Sequence, residues 1–360
     1  MELIDIFNEF QINGKIENIL NQTDGLINKS YVVKTNEKQY IIQKINTSVF
    51  KEPKVLMNNI EKVIKYLNQN KKINCAELQL IPTKVGNNCL IKNNEFYRCY
   101  NFIDNSITYN QINNYCQMYE LGKIIGKFQN DLKDIQVFEI KETIKDFHNT
   151  NLRFLNLVEV FKKADKYLQS ETISLYLFII EYKDFYNKII DKLNRKEIPY
   201  RVVHNDTKLN NVIFNKNTNK AKCLIDFDTI MPGSLLFDFG DALRSSASTE
   251  KEDSKNFERI AIDEKLFTYF FIGFYKNVKN LITKEEIELL VDSIFIITIE
   301  CAIRFLTDYL EENKYFKISY PKHNLVRAKN QLILAKDIDK KRDLLNKIIK
   351  KVIKHFEILN

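Results

Sequence analysis

The chain has 360 residues, of which 44% are hydrophobic and 28% charged, and a formal charge of +8. That is globular composition on a length that supports two lobes around substantial cores, and 8 Gly and 5 Pro leave little room for long flexible linkers. The lysines are scattered among abundant Asn and Ile and form no patch, which argues against a nucleic-acid partner.

In chain order, Leu3, Ile4, Ile6, Phe7 and Phe10 space the first 20 residues as a short helix. Tyr31 to Lys34 and Gln39 to Lys44 read as strands around the hairpin turn Thr35-Asn36-Glu37-Lys38. Pro53 opens a helix whose stripe is Val55, Ile60, Val63, Ile64 and Leu67. Leu78 to Pro82, Asn88 to Ile91 and Glu95 to Phe102 complete a sheet with one inserted helix. Beyond Asp104 the pattern turns helical over Tyr115–Leu132, Ser170–Asn194, Asp263–Lys276 and Lys284–Glu311. Thr283-Lys284-Glu285-Glu286 is a capping box at the start of the last helix. Two short strands, Asn211–Phe214 and Ala221–Phe227, joined by a turn over Asn215–Lys220, interrupt the helices. The basic stretch from Lys340 to Lys354 has the spacing of a solvated helix face. The expected class is α+β: a bilobal, protein-kinase-like fold with a small antiparallel sheet lobe (residues 1–103) for nucleotide and a large, mainly helical lobe (residues 104–360) for catalysis and substrate.

The longest apolar runs, Phe267–Tyr275 and Ile294–Ile303 (broken by Glu300), fall short of the ~20 residues of a spanning helix, so a soluble protein is expected. Cys75, Cys89, Cys99, Cys116, Cys223 and Cys301 form no C-x-x-C pair, as suits reduced thiols in a cytosolic protein. From the acidic start Met1-Glu2-Leu3-Ile4-Asp5, no signal peptide is expected.

The stretch that carries chemistry is His204-Asn205-Asp206-Thr207-Lys208-Leu209-Asn210-Asn211, with the spacing H-x-D-x-x-x-x-N. In that pattern the Asp accepts the proton of an attacking hydroxyl and the Asn holds Mg2+. Asp206 is therefore the candidate base, and Asn211 a candidate metal ligand. Asp226, at the end of Cys223-Leu224-Ile225-Asp226, is the second candidate ligand, because hard oxygen donors suit Mg2+. Asp238-Phe239-Gly240 spells DFG, but it stands 32 residues past Asp206 and does not close the short hairpin. Asp238 is expected instead to tie the following helix to the catalytic loop through backbone amides. Asp228 has three open roles: second metal contact, substrate contact or structural acid. His204 is expected to hold the loop through backbone or Asp226.

The nucleotide half is less explicit, with no Walker A and no G-x-G-x-x-G sequence. Asp24-Gly25-Leu26-Ile27-Asn28-Lys29-Ser30 stands where a phosphate-covering turn belongs, with Asn28 and Ser30 as its polar contacts. Lys44 is the candidate phosphate contact and Glu61 its helix partner, with Gln43 adjacent and the strand register open. Tyr100 to Ile103, including Phe102, is the expected adenine segment. On the Ile294–Leu310 helix, Glu300, Arg304 and Asp308 share a face at i, i+4, i+8 and form either a salt-bridge ladder or a cleft wall suited to a polyhydroxylated substrate.

At these residues the chain resembles the aminoglycoside phosphotransferase and choline kinase superfamily, and within it the N-acetylhexosamine 1-kinases. The stretches that carry the likeness are residues 204–211, Ile-Asp-Phe-Asp-Thr-Ile-Met-Pro-Gly (225–233) and Phe-Asp-Phe-Gly-Asp-Ala-Leu-Arg (237–244). Supporting pieces are Gln-Lys-Ile-Asn-Thr (43–47), Asp-Phe-His-Asn-Thr (146–150) and Arg-Phe-Leu-Thr-Asp-Tyr-Leu (304–310). The resemblance implies transfer of the ATP γ-phosphate, with Mg2+, to the anomeric hydroxyl of GlcNAc or GalNAc. It implies Arg304 and Tyr315 near the sugar, with Asp228 and Arg244 as further contacts. Lys44 stands where this subgroup is expected to carry Arg. The competing readings are a kinase for an aminoglycoside, choline or another small alcohol, and a non-catalytic nucleotide-binding module. Mixed charge at Arg244 and Arg304 disfavours a polycationic acceptor, and the lack of Trp disfavours choline. The expected protein is a cytoplasmic monomer or homodimer acting on a small-molecule sugar, with no membrane or nucleic-acid partner.

Overall fold

The computed structural model describes residues 3–22, 27–69 and 77–358. Its elements are, in chain order, α1 (Leu3–Phe7), β1 (Ile16–Gln22), β2 (Lys29–Thr35), β3 (Gln39–Lys44), α2 (Pro53–Gln69), β4 (Leu80–Ile81), β5 (Leu90–Lys92), β6 (Glu95–Asn101), β7 (Ser106–Ile107), α3 (Tyr115–Asp131), α4 (Thr150–Lys163), α5 (Lys166–Glu181), α6 (Lys188–Asn194), β8 (Arg201–Val203), β9 (Val212–Asn215), β10 (Ala221–Leu224), β11 (Met231–Gly233), α7 (Leu235–Ser246), α8 (Glu264–Val278), α9 (Lys284–Glu288), α10 (Leu290–Leu310), α11 (His323–Lys340) and α12 (Arg342–Ile358). They form two compact units, and neither is one continuous stretch of chain. The first holds the described residues up to Ile107 with Asp134–Lys145 and Ile213–Pro232; the second holds Thr108–Lys133, Asp146–Val212 and the described residues from Gly233 on.

The first unit is the antiparallel sheet lobe. Its strands run β1-β2-β3-β6-β4, with β5 also on β6. Alternation on β3 sends Tyr40 and Ile42 inward, where they meet Phe7, Phe10, Val33, Tyr97 and Cys99. The hairpin turn forms as expected, and Thr35 Oγ1 accepts from the amides of Glu37 (3.2 Å) and Lys38 (2.9 Å). Helix α2 opens at Pro53 and buries Leu56, Met57, Ile60, Val63, Ile64 and Leu67. The opening residues differ from expectation: the helix stops at Phe7, and Ile16–Gln22 is an edge strand, pairing Ile19 with Val33 and Leu20 with Val32. Tertiary pairing overrides a local pattern too short to decide between periods.

The second unit is the helical lobe. Helix α10 is apolar nearly all round and is buried accordingly. The expected helix over Ser170–Asn194 is two: α5 starts earlier, capped by Asp165, and ends at Tyr182, before a 3-10 turn (Lys183–Phe185) leads into α6. Tyr182 and Phe185 pack edge-on against Phe295, which holds that turn. The Thr283–Glu286 capping box is present, but Leu289 separates the short α9 from α10. Helices α4 and α11 had no sequence reading, and α7 only the expectation of a helix at Asp238. On α12, Leu345, Ile349 and Val352 are buried while Lys347, Lys350, Lys351 and Lys354 are exposed, the solvated face expected.

Helices α3 and α8 approach closely through glycines. A Cβ on Gly122 would stand 2.0 Å from Phe270 O, and one on Gly273 2.2 Å from Tyr119 O. Both obstacles are backbone, so neither can rotate aside. Gly122→Ala is expected to destabilise the protein at the upper end of the ~1–3 kcal/mol typical of overpacking, read as a lower denaturant midpoint.

Candidate active site

Strand β8 delivers the chain to His204, and the loop that follows is shaped by one buried carboxylate. Asp238 lies in the first turn of α7, whose N-cap is Ser234. Its Oδ1 accepts from Asn205 N (2.7 Å); its Oδ2 accepts from His204 N (3.1 Å) and Gln129 Nε2 (2.6 Å). Its carbonyl accepts from Thr207 Oγ1 (2.6 Å). This is the expected tie between helix and loop, and it accounts for the DFG spelling without a metal. Asn205 sits at φ 64°, the left-handed region that Asn tolerates better than most side chains. His148 steadies the same loop from α4's approach, with Nε2 3.2 Å from Asn205 O and Nδ1 2.9 Å from Glu300 Oε1.

The loop presents Asp206 half-buried. Lys208 Nζ lies 3.0 Å from its Oδ1, and Asn211 Nδ2 donates to its Oδ2 (2.9 Å) and to its carbonyl (2.8 Å). Its amide donates to His204 Nδ1 (3.3 Å), so His204 holds the loop from within. Burial pushes the Asp206 carboxyl up, but the Lys208 ammonium beside it, with His204 and the Asn211 amide, outweighs burial and holds it below the usual carboxylate range. The result is an ionised carboxylate oriented by two neighbours. Because the Asn211 amide group donates to Asp206, its carboxamide oxygen is the atom directed elsewhere.

In the sheet unit, Asp226 is exposed and adopts φ 64°, ψ 59°, a left-handed turn ahead of the 3-10 segment Phe227–Thr229. Asp228, two residues on, is buried and engaged on both oxygens, by Arg98 Nη1 and by Asn28 Nδ2. Arg98 Nε also donates to Gln43 Oε1 (2.9 Å), and Gln43 Nε2 donates to Ser30 Oγ (2.9 Å). Gln43, not Lys44, therefore shares a network with Asn28 and Ser30. Lys44 pairs with Glu95, and Glu61 with Lys65 (2.6 Å) and Asn88 (2.7 Å), so Lys44 and Glu61 are not brought together. Tyr100 is buried beside Arg98, and the amide of half-buried Phe102 donates to Gln39 O (3.1 Å). Asp24, Gly25 and Leu26 of the candidate phosphate turn, and Cys75, lie outside the described residues. The other cysteines are free thiols.

The remaining candidates all belong to the helical unit. Arg244 is buried and forked onto Asp241 Oδ1 (2.8 Å), with its Nη1 donating to Glu252 (2.6 Å) and Gln331 (3.1 Å). Arg304 lies over the rings of Phe147 (5.6 Å) and Phe316 (5.5 Å). Asp308 accepts from the amides of Tyr315 (2.7 Å) and Phe316 (3.0 Å) and from Asn324 (2.8 Å), so it orders the segment that presents exposed Tyr315. Glu300 bonds His148 and Thr150 (2.7 Å), and the three acids and bases of this helix face do not form a ladder with one another. Burial raises the Glu300 carboxyl, but His148, Arg304 and Thr150 together hold it below the usual range.

Residues 21–269 match the model of the phosphotransferase enzyme family, more than half of the chain. The chain belongs to this family. The fold agrees with solved kinase structures at low identity. A microcompartment-associated aminopropanol kinase superposes with TM-score 0.62 at 12% identity, covering 95% of this chain and 97% of that one. Choline kinase from Cryptosporidium parvum gives TM-score 0.60 at 16%, covering 96% of each chain. A spectinomycin phosphotransferase gives 0.59 at 15%, covering 93% and 96%. The chain is thus a small-molecule phosphotransferase with the protein-kinase-like α+β fold.

For a phosphotransferase, the donor set suits magnesium. Among the described residues no three His, Cys, Asp or Glu gather into a metal cluster. Kinase Mg2+ is held by hard oxygen donors, and the chain offers such donors in a carboxamide oxygen at Asn211 of the helical unit and, separately, an exposed carboxylate at Asp226 of the sheet unit. No helix among the described residues is long and apolar enough to cross a membrane. Sequence reasoning missed Arg98, Asp241 and His148 as site-building residues. His148 left a signal inside the Asp-Phe-His-Asn-Thr stretch, and Asp241 left one inside residues 237–244, three residues before Arg244; the partners of Arg98 are set by packing.

Proposed function

We propose that this phosphotransferase transfers the γ-phosphate of ATP to the anomeric hydroxyl of an N-acetylhexosamine, GlcNAc or GalNAc. The observation that carries the acceptor class is charge balance around the base. Lys208 is in electrostatic reach of Asp206, Asp241 and Glu252, and Arg304 of Asp206; Arg244 pairs with Asp241 and Glu252. Cations and carboxylates thus balance, which suits a neutral polyhydroxylated acceptor better than a polycation. The aromatic faces near Arg304 are occupied by its own guanidinium, which leaves little for a quaternary ammonium. The Thr207-Lys208-Leu209-Asn210 run resembles that of the sugar 1-kinases, and this likeness supports the reading.

In this reading, Asp206 accepts the proton of the attacking hydroxyl while Lys208 and Asn211 keep its carboxylate ionised and aimed. Asn211 and Asp226 hold Mg2+, which supplies charge neutralisation on the phosphate oxygens. Arg304, Tyr315 and Arg244 orient the sugar, and Asp308 acts by ordering the Tyr315 segment. Asn28, Ser30, Lys44, Tyr100 and Phe102 serve the nucleotide, while Glu61 on α2 is engaged by Lys65 and Asn88.

The test is a panel of GlcNAc, GalNAc, other hexoses, kanamycin, choline and aminopropanol with Mg-ATP, scored by ADP release and by acid-labile sugar phosphate. Acid-labile product from the N-acetyl sugars is expected. Turnover of kanamycin, choline or aminopropanol alone would replace this reading with the corresponding small-alcohol kinase.

A further inference from the structure

Arg98 carries a role that the catalytic loop does not explain. It lies on β6 with none of its surface exposed, and a buried guanidinium is costly unless well partnered. Nη1 bonds Asp228, Nε bonds Gln43, and the Tyr100 ring lies 5.4 Å away. Nη2 has no hydrogen-bond partner, an orphaned donor that internal pairing alone does not account for. The other oxygen of Asp228 accepts from Asn28, whose own Oδ1 accepts from Asn46 N (2.9 Å). One polar network therefore joins the start of β2, the end of β3, β6 and the turn after Asp226, all within the sheet unit. Asp226 holds a left-handed conformation, φ 64°, a region that Asp tolerates better than most side chains, two residues ahead of the clasped Asp228. Arg98 bonds the acid two residues beyond it, Asp228, from the sheet side.

We propose that Arg98 is a positioning residue for Asp226. Its clasp on Asp228 fixes the left-handed turn on the sheet, and Asn28 ties that turn to the start of β2 and to Asn46. The inference rests on the reading of Asp226 as a Mg2+ ligand. It also makes Asp228 a structural acid of the turn, not a second ligand.

A buried ion pair kept only for stability can be exchanged for a neutral pair of similar shape with little loss. The double variant Arg98→Met/Asp228→Asn makes that exchange. Binding of Mn2+ with ADP, followed by electron paramagnetic resonance well below the melting temperature, reads the metal site without turnover. The double variant is expected to melt near the wild type yet bind Mn2+·ADP about tenfold or more weakly, the range typical of lost outer-shell support. Wild-type affinity in the folded double variant overturns the proposal. Should the double variant not fold, Arg98→Lys keeps the buried charge and loses the planar fork to Gln43; it too is expected to weaken Mn2+·ADP several-fold, and unchanged affinity overturns the proposal equally. Asp226→Asn separates the two levels: wild-type Mn2+·ADP affinity in that variant removes the ligand reading itself, whereas lost affinity there with an intact double variant removes only the role of Arg98.

Discussion

Asp206→Ala is expected to lower kcat by about a hundredfold to ten-thousandfold, the range of a lost general base, while the nucleotide still binds. The loop should survive the change, because its shape is set by Asp238 bonding the His204 and Asn205 amides, not by Asp206. The pH dependence gives a second readout. The base works ionised, and its carboxyl lies below the usual range once Lys208 and Asn211 outweigh burial. Activity should therefore stay flat with respect to this group across neutral pH and fall only as pH drops through the lowered pKa. Lys208→Met removes the main lowering charge and leaves burial, which raises the carboxyl, so the acidic limb should move to higher pH. Near-normal turnover in Asp206→Ala, or an acidic limb that does not move in Lys208→Met, would remove Asp206 as the base.

The second large effect is expected at Asp238. Its removal strands the amides of His204 and Asn205 and the Gln129 side chain, all buried, at ~1–3 kcal/mol for each unsatisfied group. Asp238→Ala should cost roughly 3–5 kcal/mol in unfolding free energy, near the total stability of many domains, and activity should vanish with the fold. Asp238→Asn should do little better, since an amide nitrogen would face N–H donors. Denaturant unfolding of both variants separates this from the role that the DFG spelling suggests. A metal ligand would lose Mn2+·ADP binding at wild-type stability; the loop clamp loses stability first.

The catalytic loop was readable because its groups lie close in the chain. Asp206, Lys208 and Asn211 satisfy one another within six residues, so spacing alone reports their geometry. The same holds for the Thr283–Glu286 capping box and the Thr35 turn, whose hydrogen bonds close over three residues. The opening strand, the break at Tyr182 and the separation of α9 from α10 were not readable, because each is decided by a distant neighbour: β2 in the first case and Phe295 in the second.

By itself, then, the sequence determined the α+β, kinase-like class, the catalytic-loop spacing around Asp206 and the tie from Asp238 to the backbone of that loop. Tertiary structure alone decided that Gln43 and not Lys44 faces the Asn28–Ser30 network, that Asp228 answers Arg98 across 130 positions, and that Arg244 reaches Gln331 on α11. The physical reason is range. Periodicity encodes which face of a strand or helix is buried, but the partner of a buried charge is chosen by strand register and helix packing, and those are set only when the chain has folded.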